Sequence, residues 1–220
     1  MAMSRTELAA MPSTIHTKSK PMLAPIEILG FGKETSPLPP GVALAHSPKI
    51  DGQQTLVTTK PFRKGETVFA FTGPIIGKGT IYSFQFAPGI HIDPINPDRI
   101  NQETGEPERT AGHWLNHSCA PSTRVEQEII EINGGRIPII KVTALEDLNP
   151  GTELSADYAG MEEDAVITGL ECLCGSGAAC RKIITGWTGL SDEQKGGLIS
   201  RGIAAEYLIE MDEEKRAKRG

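Results

Sequence analysis

The sequence predicts a mostly β protein built from short strands, and two observations support this fold class. The 220-residue chain contains 24 glycines and 16 prolines, residues that form turns and interrupt helices. Its apolar residues fall into short runs bounded by Gly, Pro or Asn, which is the pattern of half-buried strands. Hydrophobic residues make up 38% of the chain, enough for a hydrophobic core and too many for a disordered or fibrous protein.

Five runs are predicted to be strands, and three further segments are predicted to be turns. The strand runs are 55–59, 66–71, 80–86, 123–132 and 136–143, and the turns are 63–66, 133–135 and 149–152. The turn at 133–135 reads Asn-Gly-Gly, and these residues accept the positive φ that a tight hairpin requires. The last two runs are therefore predicted to pair as a hairpin.

Composition divides the chain into four parts. Residues 1–24 are rich in Ser, Thr, Met and Ala and show no periodicity, and we expect a disordered or loosely docked tail. A main folded domain is predicted over 25–160, followed by a cysteine-rich segment over 161–190 and a helical extension over 191–220.

Two signals predict the C-terminal helix. Ser191 and Gln194 have the spacing of a capping box, which marks the beginning of a helix. Apolar residues then recur at helical spacing, namely Ile203, Tyr207, Leu208 and Met211.

The charge balance argues against several classes of partner. The formal net charge is −6 at pH 7, so the chain lacks the positive field that holds a nucleic-acid backbone. The first 25 residues contain no continuous apolar segment of the kind found in secretory signals, and no apolar run is long enough to cross a bilayer. We therefore expect an intracellular protein, nuclear or cytoplasmic, with no direct nucleic-acid or membrane partner.

The four cysteines are the clearest candidates for metal ligands. Cys172, Cys174 and Cys180 lie within nine residues, and Cys119 is the only other cysteine. Three crowded thiols and a fourth from elsewhere satisfy a tetrahedral Zn²⁺ ion. Disulfides are disfavoured in a reducing compartment, and free thiols without a metal are the remaining alternative.

A second metal site is conceivable at His113 and His117, which would face the same way on a helix. The general-base Glu that follows the first His in zinc hydrolases is replaced by Trp114, and the sequence offers no third ligand. Hydrogen-bonded structural histidines are the favoured interpretation.

Three segments together resemble the SET-domain family of protein lysine methyltransferases with a post-SET zinc extension. Trp114 to Pro121, reading WLNHSCAP, is similar to the family's FINHSCxP, and Gly151 to Tyr158, reading GTELSADY, is similar to its GEELTFDY. The run from Cys172 to Arg181 resembles the post-SET CxCG…CR. The similarity covers about residues 50–187, and its motifs occur in the family's order.

The resemblance implies a SET-domain fold of small curved β-sheets with a pseudoknot, a post-SET zinc loop and a C-terminal helix. It also implies the cofactor S-adenosylmethionine and a lysine of a protein or peptide, histone or non-histone, as substrate. Tyr158 would be the catalytic tyrosine, and Ala156 and Tyr158 would line the substrate pocket. The implied cofactor contacts are Asn116, His117, Tyr82, Gln53, Gln54, Thr55 and the lid aromatic Trp187, and the implied zinc ligands are Cys119, Cys172, Cys174 and Cys180.

Two departures from the family pattern keep two alternatives open. The family's Gly-x-Gly loop is replaced here by Gln53-Gln54-Thr55, and glycine at such a loop lets the backbone approach a ligand closely. A catalytically inactive SET-fold binding module is one alternative for this reason. Ala156 stands where the family often has Phe or Tyr, and the extra room motivates the other alternative, a methyltransferase acting on a small amine.

Overall fold

The computed structural model describes residues 38–132 and 134–218. The predicted N-terminal tail and the beginning of the main domain at residue 25 lie outside the described residues. In chain order the strands are β1 (Val42–His46), β2 (Gln54–Thr58), β3 (Thr67–Phe71), β4 (Ile75–Ile76), β5 (Phe84–Ala87), β6 (Ile90–Ile92), β7 (Ile95–Ile100), β8 (Pro107–Arg109), β9 (Asn116–His117), β10 (Thr123–Ile132), β11 (Gly135–Ala144) and β12 (Glu153–Ala156). The helices are α1 (Asp192–Ser200) and α2 (Glu206–Ala217).

The strands form four small sheets, which confirms the predicted mostly β class. A four-stranded sheet has the order β1-β2-β12-β9, and two three-stranded sheets have the orders β10-β11-β3 and β4-β6-β5. Strands β7 and β8 make a two-stranded ribbon. The main core lies between the larger sheets, where Leu56, Phe71, Ile140 and Leu154 are fully buried.

The hairpin predicted around the Asn-Gly-Gly turn is present. Strands β10 and β11 pair antiparallel from Thr123 opposite Ala144 to Ile132 opposite Gly135. Gly134 in the connection has a φ of +78°, a conformation that glycine adopts without steric cost.

The predicted strand at 80–86 is wrong over its first half. Strand β5 begins only at Phe84, because hydroxyl groups capture the preceding backbone. The N–H groups of Tyr82 and Ser83 donate to Thr80 Oγ1, and the Thr80 N–H donates to Ser83 Oγ. Such local bonds compete with strand pairing.

The C-terminal extension contains two helices rather than one. The capping box of Ser191 and Gln194 is present at the beginning of α1, as predicted. Gly202, with a φ of +66°, lies in the connection to α2 together with Ile203, so Ile203 is not part of a helix. Both helices pack around a second core in which Trp187 and Leu208 are fully buried. No helix in the described part of the chain has the length and apolar character needed to span a bilayer.

Candidate active site and metal centre

The two sequence motifs that lie far apart in the chain are neighbours in the fold. Strand β9 runs parallel to β12, with Asn116 opposite Ser155 and Ala156 opposite His117. The Ser118 N–H donates to the Ala156 carbonyl at 2.9 Å. This pairing places the segment leading to Cys119 beside the segment leading to Tyr158.

A cavity opens next to this strand pair. Its wall includes Gln53, Tyr82, Asn116, Tyr158 and Glu162. The first four are predicted site residues from four separate stretches of sequence. Glu162 was not predicted, because nothing in the local spacing around it marks a functional residue.

Tyr158 is held in one orientation by its hydroxyl and by its backbone. The hydroxyl donates to the Leu115 carbonyl at 3.0 Å, and the Tyr158 N–H donates to His117 Nδ1 at 3.3 Å. Burial, and secondarily the charge of Glu162, raises the pKa of Tyr158, so the phenol stays neutral. Its oxygen lone pairs remain available to accept a hydrogen bond at the cavity.

The side-chain amide of Asn116 is tied to the segment that replaces the glycine loop. Gln53 Nε2 donates to Asn116 Oδ1, and Asn116 Nδ2 donates to the Gln54 carbonyl, both at 2.9 Å. Gln53 Oε1 is buried and has no partner among the described residues. The Gln54 side chain is exposed and does not line the cavity, while Thr55 is fully buried and donates to Glu153 Oε1 at 3.0 Å.

Tyr82 and His113 form a stacked pair at the cavity wall, with ring centroids 3.9 Å apart. Arg109 Nη1 donates to His113 Nε2 at 2.7 Å. Burial, followed by the charge of Arg109, lowers the pKa of His113 to about 4. His113 is therefore a neutral, hydrogen-bonded residue, and the described residues contain no metal-ligand group that includes it.

His117 connects the candidate catalytic residue to the cysteines and does not line the cavity. Its Nδ1 accepts from the Tyr158 backbone, and its Nε2 lies 3.4 Å from Cys119 Sγ. Burial lowers the pKa of His117 to about 4. The charge of Asp157 has a smaller effect that raises this pKa, and the charge of Arg181 has a smaller effect that lowers it. The neutral ring with its proton on Nε2 satisfies both contacts.

Two other predicted site residues lie in hydrophobic cores. Trp187 is 0% exposed and packs with the C-terminal helices, so it is not among the cavity-lining residues of the described chain. Ala156 is 1% exposed and belongs to the main core. Apolar burial explains both placements, since β12 directs Ala156 inward and Trp187 offers the largest side chain of the second core.

The four cysteines converge on one point. Their sulfur atoms all lie within 4.8 Å of one another, and Cys119 Sγ is 3.8 Å from Cys172 Sγ. A tetrahedral zinc ion with Zn–S bonds of about 2.3 Å separates its sulfurs by about 3.8 Å. All four are free thiols, and the geometry therefore fits the predicted zinc centre.

The backbone around the cysteines supports ligation. The N–H groups of Arg181 and Lys182 point at Cys119 Sγ and Cys180 Sγ, each at 3.4 Å. Burial raises the pKa of Cys119 to about 11 and also raises that of Cys172. Burial acts in the same direction on Cys174, but hydrogen bonds from its surroundings outweigh it and lower the pKa of Cys174 to about 6. A bound Zn²⁺ ion would favour loss of the thiol protons, so that the cysteines would bind it as thiolates.

One buried ion pair joins the cysteine loop to the tyrosine segment. Arg181 follows Cys180, Asp157 precedes Tyr158, and the two side chains meet 24 residues apart. The Asp157 side chain is 0% exposed and also accepts the Ala159 N–H at 3.1 Å. Sequence reasoning did not identify this pair, although both residues stand inside the predicted motifs.

Comparison with known proteins identifies the domain that contains most of these residues. The sequence model of the SET domain matches residues 54–159. The histone-lysine N-methyltransferase SETDB2 of Xenopus laevis is 30% identical over 77 residues, covering 35% of this chain and 11% of that protein. The histone-lysine N-methyltransferase met-2 of Caenorhabditis elegans is 31% identical over 65 residues, covering 30% of this chain and 5% of that protein. The chain thus spans only a small part of the length of these relatives.

Solved structures show a weaker similarity. A humanized mutant of the Chaetomium thermophilum Polycomb Repressive Complex 2 bound to the inhibitor GSK126 aligns over 53% of this chain and 14% of the compared chain. The sequence identity is 20% and the TM-score is 0.38, so the assignment rests on the family match and on the motifs. Residues 54–159, just under half of the chain, form a SET domain.

Proposed function

We propose that this protein transfers a methyl group from S-adenosylmethionine to the ε-amine of a lysine in a protein substrate. The observation that carries the proposal is the shared cavity, which both Tyr158 and Asn116 line within a SET domain. The names of the relatives indicate histones as the first substrates to test. A chain of net charge −6 also favours encounter with a basic tail.

The residues of the cavity fit the cofactor. Gln53 Oε1 is a buried acceptor without a partner, and S-adenosylmethionine carries amino groups that can donate to such an atom. Asn116 holds Gln53 in place through its own amide. When bound, the cofactor supplies an electrophilic methyl group on a sulfonium, and the reaction is an in-line displacement.

Tyr158 has the properties needed to align the amine. Its hydroxyl hydrogen is committed to the Leu115 carbonyl, so its oxygen can accept a hydrogen from the substrate amine and direct the nitrogen lone pair. A neutral tyrosine adds no charge to the site, and positioning of this kind is a large part of catalysis in displacement reactions.

The zinc centre has a structural role in this proposal. The four sulfurs connect the loop after Cys172 to the segment after β9, and metal binding energy then stabilises the fold at that junction. The ion pair of Arg181 with Asp157 extends this support to the residue before Tyr158.

The test is methyl transfer by the purified full chain. The protein is incubated with methyl-labelled S-adenosylmethionine and a panel of core-histone peptides, each paired with a peptide in which every lysine is replaced by norleucine. We expect label on lysine peptides only. Label on free amines in preference to peptides would support the small-amine alternative, and no label together with no calorimetric binding of the cofactor would support an inactive binding module. Either result would overturn the proposal.

A further inference from the structure

A buried carboxylate lies on the cavity wall and has no part in the scheme above. Glu162 is 6% exposed, and it lines the same cavity as Tyr158. A buried carboxylate without a strong cationic partner costs free energy, so its presence beside a candidate active site needs a physical explanation.

The surroundings of Glu162 hold it in place but leave it incompletely paired. Its Oε1 accepts the backbone N–H of Gln85 at 2.9 Å. Its Oε2 lies 3.7 Å from His91 Nε2, which is longer than a hydrogen bond. His91 is 9% exposed, and its Nδ1 is buried without a hydrogen-bond partner among the described residues. One carboxylate oxygen is therefore free of any short contact with a donor among these neighbours.

Burial raises the pKa of Glu162, and the contacts with His91 and Gln85 oppose this effect without cancelling it. A carboxylate whose pKa is shifted toward neutrality is a better proton acceptor than an exposed one. The groups that face Glu162 are His91 on β6, Gln85 on β5, Tyr158, and Tyr207 on α2, with Glu163 adjacent in the chain.

Methyl transfer to an amine requires a proton acceptor. A lysine in water has a pKa of about 10.4 and is almost entirely protonated at neutral pH, and an ammonium has no lone pair. The carboxylate is the only acidic side chain that lines this cavity in the described part of the chain.

Resting on the proposed function, we infer that Glu162 binds the substrate ammonium and accepts its proton before methyl transfer, with His91 as a positioning residue behind it. One N–H bond of the ammonium breaks and its electron pair remains on nitrogen, while an O–H bond forms on Glu162 Oε2. The neutral acid returns this proton to solvent after turnover. The charge of the site is unchanged by the transfer, because the ammonium and the carboxylate neutralise each other.

A purely structural role for Glu162 would be to tie β5 to the segment after Tyr158 through the Gln85 N–H. The variant Glu162→Gln separates the two roles, because the amide oxygen still accepts that N–H but cannot take a proton at neutral pH. The matched control is Glu163→Gln, which removes the neighbouring carboxylate, one that pairs with Lys215 at 3.6 Å and does not line the cavity.

The experiment measures single-turnover methylation against pH, using the best substrate from the histone peptide panel. We expect Glu162→Gln to slow methyl transfer by about 10²-fold at pH 7. The rate of this variant should recover as the pH approaches the pKa of free lysine, about 10.4. We expect Glu163→Gln to retain the wild-type profile. Binding is measured separately by calorimetry, where Glu162→Gln should lose the preference for the lysine peptide over its norleucine counterpart.

The outcomes are distinguishable. Wild-type protein that methylates no substrate would overturn the proposed function itself. Wild-type protein that is active, with a Glu162→Gln variant of equal rate, pH profile and lysine preference, would overturn only the role of Glu162. If Glu162→Gln does not fold, His91→Gln decides, because it should shift the acidic limb of the pH profile, and an unshifted limb would contradict the inference.

Discussion

Arg181 and Asp157 form a bidentate ion pair that fixes the cysteine loop against the tyrosine segment. The distances are 2.8 Å from Nη1 to Oδ2 and 2.5 Å from Nη2 to Oδ1. The Asp157 side chain is 0% exposed and that of Arg181 is 13% exposed. Because each residue is adjacent in sequence to a predicted functional residue, Cys180 or Tyr158, the ion pair connects the candidate metal centre to the candidate active site.

Removing Arg181 is expected to be strongly destabilising. Arg181→Ala leaves the Asp157 carboxylate buried without its counter-ion, and breaking a buried pair in this way costs about 3–5 kcal/mol. Chemical denaturation of the metal-loaded protein measures the change in unfolding free energy.

The matched control is Arg99→Ala, which breaks a half-exposed pair with Glu108 at 2.8 Å and should cost less than about 1 kcal/mol. Equal effects of the two substitutions would show that the Arg181 pair has no special importance.

The cysteine cluster should hold one zinc ion per chain. Cys119→Ser and Cys174→Ser alter ligands from the two separate stretches, and each should reduce zinc content and lower the melting temperature by about 10 °C. This figure corresponds to several kcal/mol at about 2–4 °C per kcal/mol. Elemental analysis and thermal melting measure the two effects.

A chelator provides the control for the zinc prediction. It should lower the melting temperature of the wild type and have little further effect on either variant. A wild-type protein without stoichiometric zinc, and with an unchanged melting temperature after chelation, would contradict the assignment.

The Tyr158 hydroxyl is predicted to act in the chemical step. Tyr158→Phe removes the oxygen that orients the amine while keeping the ring, and we expect single-turnover methylation to fall by about 10²-fold or more, as for the loss of one positioned polar group. Cofactor binding, measured by calorimetry, should change little. The control is Tyr207→Phe, which removes a hydroxyl of α2 that donates to the Met161 carbonyl at 2.7 Å. Tyr207 does not line the cavity, so this variant should keep a rate near that of the wild type. An undiminished rate for Tyr158→Phe would remove this residue from the mechanism.

Gln53 is predicted to contribute to cofactor binding although it stands in place of the first glycine of the family's Gly-x-Gly loop. Gln53→Ala removes the buried Oε1 acceptor and the support for Asn116. Loss of one or two hydrogen bonds of about 1 kcal/mol each should weaken S-adenosylmethionine binding by about 5- to 30-fold in calorimetry. Gln54→Ala is the control, since Gln54 contacts Asn116 through its backbone carbonyl. Tighter binding by Gln53→Ala would show that the side chain obstructs the cavity instead.

His113 should make stability dependent on pH. Its pKa is lowered from 6.5 to about 4, so the unfolded chain binds a proton in this interval that the folded chain does not. Stability from this group is therefore complete above about pH 6.5 and is lost as the pH falls toward 4. His113→Phe keeps a ring to stack on Tyr82, and its melting temperature should fall less than that of the wild type between pH 7 and pH 4.5. His46→Phe, which removes an exposed histidine of β1, is the control, and parallel melting curves for wild type and His113→Phe would refute the prediction.

Some parts of this protein could be predicted because their information is local. The hairpin of β10 and β11 follows from alternating residues and an Asn-Gly-Gly turn, and the beginning of α1 follows from Ser191 and Gln194. The strand predicted from residue 80 failed for an equally local reason, since Thr80 and Ser83 bond to the backbone around them. The prediction of a single C-terminal helix was wrong at Gly202, because a residue with a φ of +66° cannot continue an α-helix.

Candidate site residues could be predicted from the sequence where residue type and spacing indicate their chemistry. The four cysteines predicted as zinc ligands lie together in the fold, and Asn116 and Tyr158, predicted from two motifs, line one cavity; their roles stay predictions. The position of Trp187 in the second core could not be inferred, because a tryptophan is equally suited to a ligand lid and to a hydrophobic core. Glu162 and His91 carry no local signal, since a Glu after a tyrosine motif is usually a solvated side chain.

The sequence by itself determined the short-strand architecture, the SET-domain motifs and the choice of four cysteines as candidate zinc ligands, because turns, alternation and ligand chemistry follow from residue type and local spacing. Only the tertiary structure decided that Arg181 pairs with Asp157, that Gln53 holds Asn116, and that Glu162 is buried beside Tyr158. These relationships arise from the parallel pairing of β9 with β12 and from the packing of the sheets. Burial, which sets the energies of charges and hydrogen bonds, is a property of that packing and not of any single segment.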